Sequence, residues 1–170
     1  MAVTGRIERK YMAHFIDTAF ATGTATPSWY RIGKDLEEYS VELNPDTEVI
    51  KNILGNSTFR HNGYEPSASA EPFYAEVGDP LFAKLQSIVD NRDSGDQLKT
   101  SALEVHLWEE GSTSNTYVAY KQTCYLTPTS YGGDTSGYQI PFDVSYVGDR
   151  TAGTFTPDAN GSGTFAASGV

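Results

Sequence analysis

The sequence predicts a mainly β fold, a β-sandwich or half-barrel with one flanking α-helix near residues 80–92. Three observations lead to this prediction. Most of the chain alternates apolar and polar residues with a period of two, which is the spacing of strands. Only one stretch has helical spacing. The chain also contains 11 tyrosines and 16 glycines, which is typical of strands joined by many turns.

The first third of the chain predicts an arm, two strands and a hairpin. Residues 1–10 are expected to form a flexible arm. Residues 11–20 carry apolar side chains on both parities, which favours a strand buried on both faces, and residues 29–32 form a short strand. Residues 38–54 predict a hairpin, because alternating residues and β-branched residues flank the turn signal Asn44-Pro45-Asp46.

A long polar inter-strand loop, residues 55–72, follows this hairpin. Gly63 and Pro66 interrupt any regular element within it, and residues 73–77 return as a strand. Unstructured connections of this length are uncommon in compact domains and tend to carry function. We therefore expect residues 55–72 to contact another molecule, and we expect removal of residues 56–70 to leave the domain folded.

One helix is predicted, and it begins at Pro80. Asp79 precedes it as a cap for free amides, and proline suits the first helical position. Gly95 is the expected left-handed residue beyond its end. Apolar side chains at helical spacing form one face that is expected to pack on the sheet: Leu81, Phe82, Leu85, Ile88 and Val89.

The second half of the chain predicts strands only. Alternating or β-rich residues mark four of them, at 103–108, 117–126, 138–146 and 150–156. Pro141 cannot donate a ladder hydrogen bond, so its strand is expected at an edge or a bulge. Residues 157–170 are small and polar and are expected to form a flexible tail or second arm. The length favours a single domain over residues 1–170.

Charge and cysteine content restrict the function. The 12 Lys and Arg residues are outnumbered by 22 Asp and Glu, for a formal net charge of -10. A protein that grips nucleic-acid phosphates is therefore not expected. The one cysteine, Cys124, cannot form an internal disulfide, which fits assembly inside a cell. No apolar stretch follows Met1 or approaches the roughly 18 residues of a membrane helix, so neither a secretory signal nor a membrane span is expected.

No group of residues predicts catalysis, a cofactor or a metal site. The three histidines lie far apart in the sequence, without carboxylate or thiol partners at metal-ligand spacing: His14, His61 and His106. Residues 90–96 are a poor calcium loop, because Ser101 stands where a bidentate Glu is required. The paired acids Glu109 and Glu110 are expected at the end of a strand. We therefore expect a protein that is not an enzyme.

The order of motifs along the chain carries a family resemblance. An arm leads into residues 11–20, and the turn Asn44-Pro45-Asp46 is followed by the run Val49-Ile50-Lys51-Asn52-Ile53-Leu54-Gly55. The chain then passes through Tyr64-Glu65-Pro66 and Pro72-Phe73-Tyr74-Ala75 to Asp79-Pro80-Leu81, the helix and the later strands. Over nearly its whole length this order resembles the major tail protein, or tail tube protein, family of long-tailed phages and phage-tail-like particles.

The resemblance implies a structural virion protein that is assembled in the host cytoplasm. Six copies form a ring, and rings stack into a hollow tail tube whose lumen conducts double-stranded DNA without binding it specifically. The net acidic charge fits a lumen that repels phosphate. The implied partners are the protein itself and the tail initiator, tape-measure and terminator proteins, without a cofactor or a membrane. A flexible tail and a tube inside a contractile sheath both fit.

Two sets of residues are expected to make these contacts. The long segment would supply the contacts between rings, through Asn56, Phe59, Arg60, Tyr64 and Pro66. The N-terminal arm would supply further contacts, through Arg6, Arg9 and Tyr11.

Two other functions stay open on the sequence alone. Trp29, Trp108 and the many tyrosines would suit a β-sandwich binding module that recognises carbohydrate, although core packing or a subunit interface accounts for such residues more often. A hydrolase that uses Glu109 and Glu110 is a weaker alternative, because glycoside hydrolysis needs two carboxylates at a set separation in a concave site.

Overall fold

The structure is a computed structural model that describes residues 3–169, and it is mainly β as predicted. The strands are β1 (Met12–Asp17), β2 (Trp29–Ile32), β3 (Pro45–Lys51), β4 (Ser57–Tyr64), β5 (Ser67–Ala70), β6 (Lys99–Glu110), β7 (Tyr117–Pro128), β8 (Gly132–Asp134), β9 (Gly137–Gln139), β10 (Phe142–Pro157) and β11 (Gly163–Ala167). One α-helix, α1 (Pro80–Asn91), and two short 3-10 turns (Arg9–Tyr11 and Gly95–Leu98) complete the fold.

A curled, half-barrel sheet of seven antiparallel strands forms the body of the protein. Its order is β11-β10-β7-β6-β1-β2, and β5 pairs with β10 beside β11. The long strand β10 has an irregularity between Val147 and Thr151, so its first half pairs with β5 and its second half with β11. The remaining strands form two small separate sheets, β3-β4 and β8-β9.

Apolar side chains cover both faces of the main sheet, because successive strand residues point to opposite sides. In β1, Ile16 packs into the cluster that contains Leu85 of α1, and this side is called the α1 face. Phe15 points to the opposite face, where it packs with Phe155 at a centroid distance of 4.9 Å. The burial of β1 on both faces follows the sequence prediction.

The start of α1 follows from its sequence. The Asp79 carboxylate accepts hydrogen bonds from the Leu81 and Phe82 amides at 2.8 and 3.2 Å, and Pro80 occupies the first turn. Phe82 is half-buried, and the rest of the predicted face is buried: Leu81, Leu85, Ile88 and Val89.

Gly95 is left-handed as predicted, with a φ of 60°, but it begins the next 3-10 turn, and the left-handed residue that caps α1 is Arg92, with a φ of 53°. A non-glycine residue is tolerated there because its guanidinium is held on both sides. The guanidinium donates to the Val89 carbonyl at 2.6 Å and to the Tyr131 hydroxyl at 2.9 Å.

The hairpin lies later in the chain than predicted. β3 pairs with β4 around a turn at residues 52–56, and not around Asn44-Pro45-Asp46. Residues 38–44 form no strand and make only one bridge, between Glu42 and Ser67. Their alternation has another cause: Tyr39 and Val41 pack toward the α1 face, so the segment covers that face without joining the sheet.

Two further elements differ from the prediction. The expected loop 55–72 contains two strands, β4 and β5, and Gly63 lies within β4 without interrupting it. The polar residues of β4 give no periodic signal because both of its faces are exposed. Residues 73–77 form no strand, since Phe73 turns inward against Phe142 at a centroid distance of 5.5 Å.

The chain ends are also more ordered than predicted. Within the expected flexible tail 157–170, β11 pairs with β10 and sets Phe165 opposite Phe155. In the expected arm 1–10, Arg9 opens a 3-10 turn, and its guanidinium donates to the Tyr39 carbonyl at 2.8 Å. Residues 1, 2 and 170 lie outside the described residues. Over residues 3–169, no helix has the length and apolar character needed to cross a bilayer.

Candidate functional site

The projecting hairpin, residues 45–64, is the first candidate site. Apart from Ile50 and Gly63, every residue of β3 and β4 is exposed, and the two strands pair only with each other among the described residues. Val49 and Phe59 lie opposite each other, and they are 67% and 66% exposed. Contiguous exposed apolar side chains of this kind mark interaction surfaces.

The tip of the projecting hairpin, residues 52–56, presents two aliphatic side chains on an ordered turn. Asn52 Oδ1 accepts hydrogen bonds from the Leu54 and Asn56 amides, both at 3.0 Å. Gly55 has a φ of 82°, a left-handed conformation that strains other residues. Ile53 is fully exposed and Leu54 is 79% exposed, so the turn holds both side chains in solvent.

The neck of the projecting hairpin is fixed to the main sheet. Glu42 and Ser67 exchange backbone hydrogen bonds of 2.7 and 2.9 Å. The side-chain amide of Asn44 donates hydrogen bonds to the Glu65 carbonyl at 3.0 Å and to Ser67 Oγ at 3.1 Å. The chain then enters β5, where Ala70 is buried. These hydrogen bonds therefore fix the direction in which the hairpin projects from the main sheet.

The structure brings four of the five residues predicted for inter-ring contact onto this hairpin. Asn56 lies in the tip, and Phe59 and Tyr64 are exposed aromatic residues of β4. Arg60 pairs with Glu48 across the strands at 3.4 Å. Pro66 lies beyond the hairpin, where it lines a cavity.

The residues predicted for contacts of the N-terminal arm differ in their surroundings. Arg6 is exposed, and Tyr11 is half-buried. The Arg9 guanidinium is engaged within the chain by the Tyr39 carbonyl.

The cavity has a volume of about 600 Å³ and is the second candidate site. It lies on the α1 face, beside the area that α1 covers, between the sheet, residues 39–43 and the N-terminal segment. Leu43 and Pro66 flank the neck of the hairpin, so the cavity lies at the hairpin's base. Apolar side chains make up much of its lining: Ile7, Met12, Val41, Leu43, Pro66 and Trp108.

A polar cluster forms the floor of the cavity. Strand pairing sets Glu104 of β6 between His14 of β1 and Tyr120 of β7. Glu104 Oε1 accepts a hydrogen bond from Arg150 Nη2 at 3.0 Å and lies 3.0 Å from His106 Nε2. The Arg150 guanidinium carbon lies 4.3 Å from the Tyr120 ring centroid. No local pattern predicts this cluster, because its members are remote in sequence and meet only through strand register.

Burial and neighbouring charges shift the pKa values of the groups in this cavity. Burial opposes ionisation of Glu104, but the hydrogen bond with His106 and the charge of Arg150 outweigh it and hold the Glu104 pKa below its ordinary value. Burial lowers the pKa of His14 to about 4, which leaves its ring neutral at pH 7. The Tyr39 and Tyr146 hydroxyls lie 2.9 Å apart, and burial raises the pKa of both, so both keep their protons.

Of the residues suggested for other activities, one tryptophan is buried, the other is stacked on a histidine, and the paired acids end a strand. Trp29 is buried at 5% exposure, and Trp108 stacks on His106 at a centroid distance of 4.4 Å. Glu109 lies at the exposed end of β6, 3.7 Å from His106 Nδ1. Within residues 3–169, no group of three or more His, Cys, Asp or Glu side chains could hold a metal ion.

Comparison with known proteins gives a likeness of fold. No protein-family profile matches the chain, and no curated protein matches it in sequence. The fold is similar to the sheath/tube terminator, in its extended state, of PVC, an extracellular contractile injection system; the TM-score is 0.51, with 9% identity over 89% of this chain and 99% of that chain. Another similar structure is the tube-terminating cap of the anti-feeding prophage, with a TM-score of 0.49 and 12% identity over 91% of this chain and 95% of that chain.

Proposed function

We propose that this chain is a structural subunit of a phage-tail-like particle and that it has no catalytic role. It forms hexameric rings, and the rings stack into the hollow tail tube through which DNA passes. The observation that carries the proposal is the projecting hairpin, with its exposed Val49, Ile53, Leu54 and Phe59, on a fold similar to that of a sheath/tube terminator. The number of six copies in a ring comes from the family resemblance.

The exposed hairpin and the open sheet edges favour an assembling role. Ordering a residue costs about 1–2 kcal/mol in backbone entropy, and an exposed hairpin recovers little of this cost within its own chain. Contacts with a neighbouring copy offset the cost by burying the apolar side chains. The edge strands β2, β5 and β11 carry backbone groups that pair when copies meet side by side.

A second candidate function is that of the tube terminator itself, which the fold likeness favours. A terminator binds the end of a tube and adds no further copies beyond itself. A tube subunit has two stacking faces and continues to grow. The proposed partners also differ, since a terminator needs a tube made of another protein, whereas a tube subunit stacks on itself, starts from a tail initiator and surrounds a tape-measure protein.

Negative-stain electron microscopy of the concentrated protein separates these roles. A tube subunit gives hollow tubes of stacked rings, with or without a tail initiator complex. A terminator gives single rings that do not lengthen. Particles that stay monomeric under all conditions, including in the presence of an initiator complex, contradict the structural role.

The structure gives little support to the carbohydrate-binding alternative. That alternative needs exposed tryptophans, and Trp29 lies in the core. Trp108 lines the cavity but has one ring face covered by His106. A glycan array without binding removes this alternative.

A further inference from the structure

The tip of the projecting hairpin and the cavity at its base are complementary surfaces on one chain. The tip offers Ile53 and Leu54 in solvent, and the cavity offers aliphatic and aromatic walls in a volume of about 600 Å³. This volume is in the range of pockets that enclose small ligands, so it is large enough to take two aliphatic side chains. Burying each of these side chains removes apolar surface from water, which favours association.

The cavity lining carries two acids and two arginines, and the surface beside the cavity is acidic where the tip is basic. From residue 50 to residue 58 the only charged side chain is Lys51, in a chain of net charge -10. Next to the cavity runs a groove lined by acids and no bases, with Glu38, Glu42 and Glu71 among its residues. The groove and the cavity share Ser40, so they lie on the two sides of the same segment. A tip seated in the cavity would bring Lys51 toward these carboxylates.

The geometry excludes the chain's own tip from the cavity, which leaves the tip free for the cavity of another copy. A strand rises about 3.4 Å per residue, so β3 holds the tip about 20 Å from the neck, whereas the cavity lies at the neck. Ile53 is fully exposed, so the tip does not occupy its own chain's cavity. A contact between two different surfaces leaves one free tip and one free cavity at the ends of every open assembly, so the assembly either closes into a ring or continues to grow.

We propose that the Ile53–Leu54 tip of one copy inserts into the Leu43- and Trp108-lined cavity of the next copy. The proposal rests on the proposed function, and it identifies the acceptor surface of the hairpin. It also gives the assembly a polarity, because one end of a stack presents tips and the other presents cavities. The hairpin faces bearing Val49 and Phe59 then pack around the mouth of the neighbour's cavity.

Complementation between two variants tests this inference. Leu54→Asp places a charge on the apolar tip, and Leu43→Asp places a charge in the apolar wall of the cavity. Both positions are exposed in the single chain, at 79% and 54%. Val77→Asp is the matched control, because Val77 is fully exposed and lies on neither surface. Circular dichroism verifies that each variant folds, and sedimentation velocity measures its self-association.

We expect Leu54→Asp and Leu43→Asp each to raise the concentration needed for polymer growth at least tenfold, while the control polymerises as the wild type does. In a mixture, the intact tip of Leu43→Asp meets the intact cavity of Leu54→Asp. The mixture therefore forms a complex of two copies, or of two rings, that neither variant forms alone and that does not lengthen. If Leu54→Asp polymerises at the same concentration as the wild-type protein, the tip-in-cavity contact is wrong, but the proposed function stands.

Cross-linking tests the contact without disrupting it. A mixture of Leu54→Cys and Leu43→Cys should be joined in pairs by a short bismaleimide, whereas Val77→Cys with Leu43→Cys should not. The native thiol does not interfere, because Cys124 is buried. Polymer growth without a cross-link in the first mixture contradicts the inference alone. A wild-type protein that neither polymerises nor cross-links through these variants contradicts both the inference and the proposed function.

Discussion

Removing the outer part of the projecting hairpin should separate folding from assembly. Thr47 and His61 are paired residues, so residues 48–60 can be replaced by Asn-Gly, which closes a two-residue hairpin turn. The change removes Val49, the tip and Phe59, and keeps the Asn44 contacts at the neck. The deletion of residues 56–70 expected from the sequence is badly placed, because it also removes β5 and its buried Ala68 and Ala70.

The size of the effect on folding follows from burial. Within residues 48–60 only Ile50 is even half-buried, and a fully buried aliphatic side chain contributes about 1.5–3 kcal/mol. The free energy of unfolding should therefore fall by no more than about 1 kcal/mol, or about 2–4 °C in melting temperature for a chain of this size. The core variant Leu85→Ala, whose side chain is 0% exposed, should lose about 2–5 kcal/mol.

Urea denaturation measures the free energy of unfolding, and sedimentation velocity measures self-association of the same samples. We expect the shortened protein to unfold as the wild type does but to lose assembly. A loss of more than about 3 kcal/mol would mean that the hairpin belongs to the folding core. Undiminished assembly would mean that the hairpin is not the interface.

Three other predictions concern the body of the protein. Asp79→Ala removes the cap of α1 and should lower the free energy of unfolding by about 1–2 kcal/mol in urea, whereas Asp90→Ala, on the exposed side of the helix, should change it by less than about 0.5 kcal/mol. The neutral, buried His14 binds a proton more readily when unfolded, so stability should fall by up to about 3 kcal/mol as the pH drops from 6.5 to about 4. His14→Gln should flatten the part of this decline above about pH 5.5, where carboxyl groups such as Glu104 stay ionised in the folded and the unfolded protein. A decline of equal slope in His14→Gln would assign it to other groups. Burial raises the pKa of Cys124 to about 12, so a thiol reagent should label the folded protein at least a hundredfold more slowly than the unfolded protein at pH 8, and equal rates would contradict the burial.

Local signals in the sequence predicted a large part of the fold. The helix was predictable because Asp79 and Pro80 act on the residues next to them, and its apolar face repeats within one short segment. The central strands β6, β7 and β10 were predictable because burial on the sheet imposes a period of two. Near Pro141 the chain breaks between β9 and β10, which fits a residue that cannot donate to the ladder.

The remaining features depend on contacts between distant parts of the chain. The alternation of residues 38–44 records that Tyr39 and Val41 face the sheet, and alternation alone does not distinguish such a segment from a paired strand. β4 has no buried face in the single chain, so it has no hydrophobic period. The cavity cluster was invisible because His14, Glu104 and Arg150 meet through the register of β1, β6 and β7 and the irregularity in β10.

Sedimentation velocity of the wild-type protein over a wide concentration range decides whether the chain assembles with copies of itself. Self-assembly through the projecting hairpin predicts that the 18.5 kDa chain gives way, as concentration rises, to a ring-sized species and then to larger polymers. The same series on the shortened hairpin variant should contain no stacked polymers. A wild-type protein that sediments as a monomer at every concentration, with and without a tail initiator complex, would contradict self-assembly through the projecting hairpin.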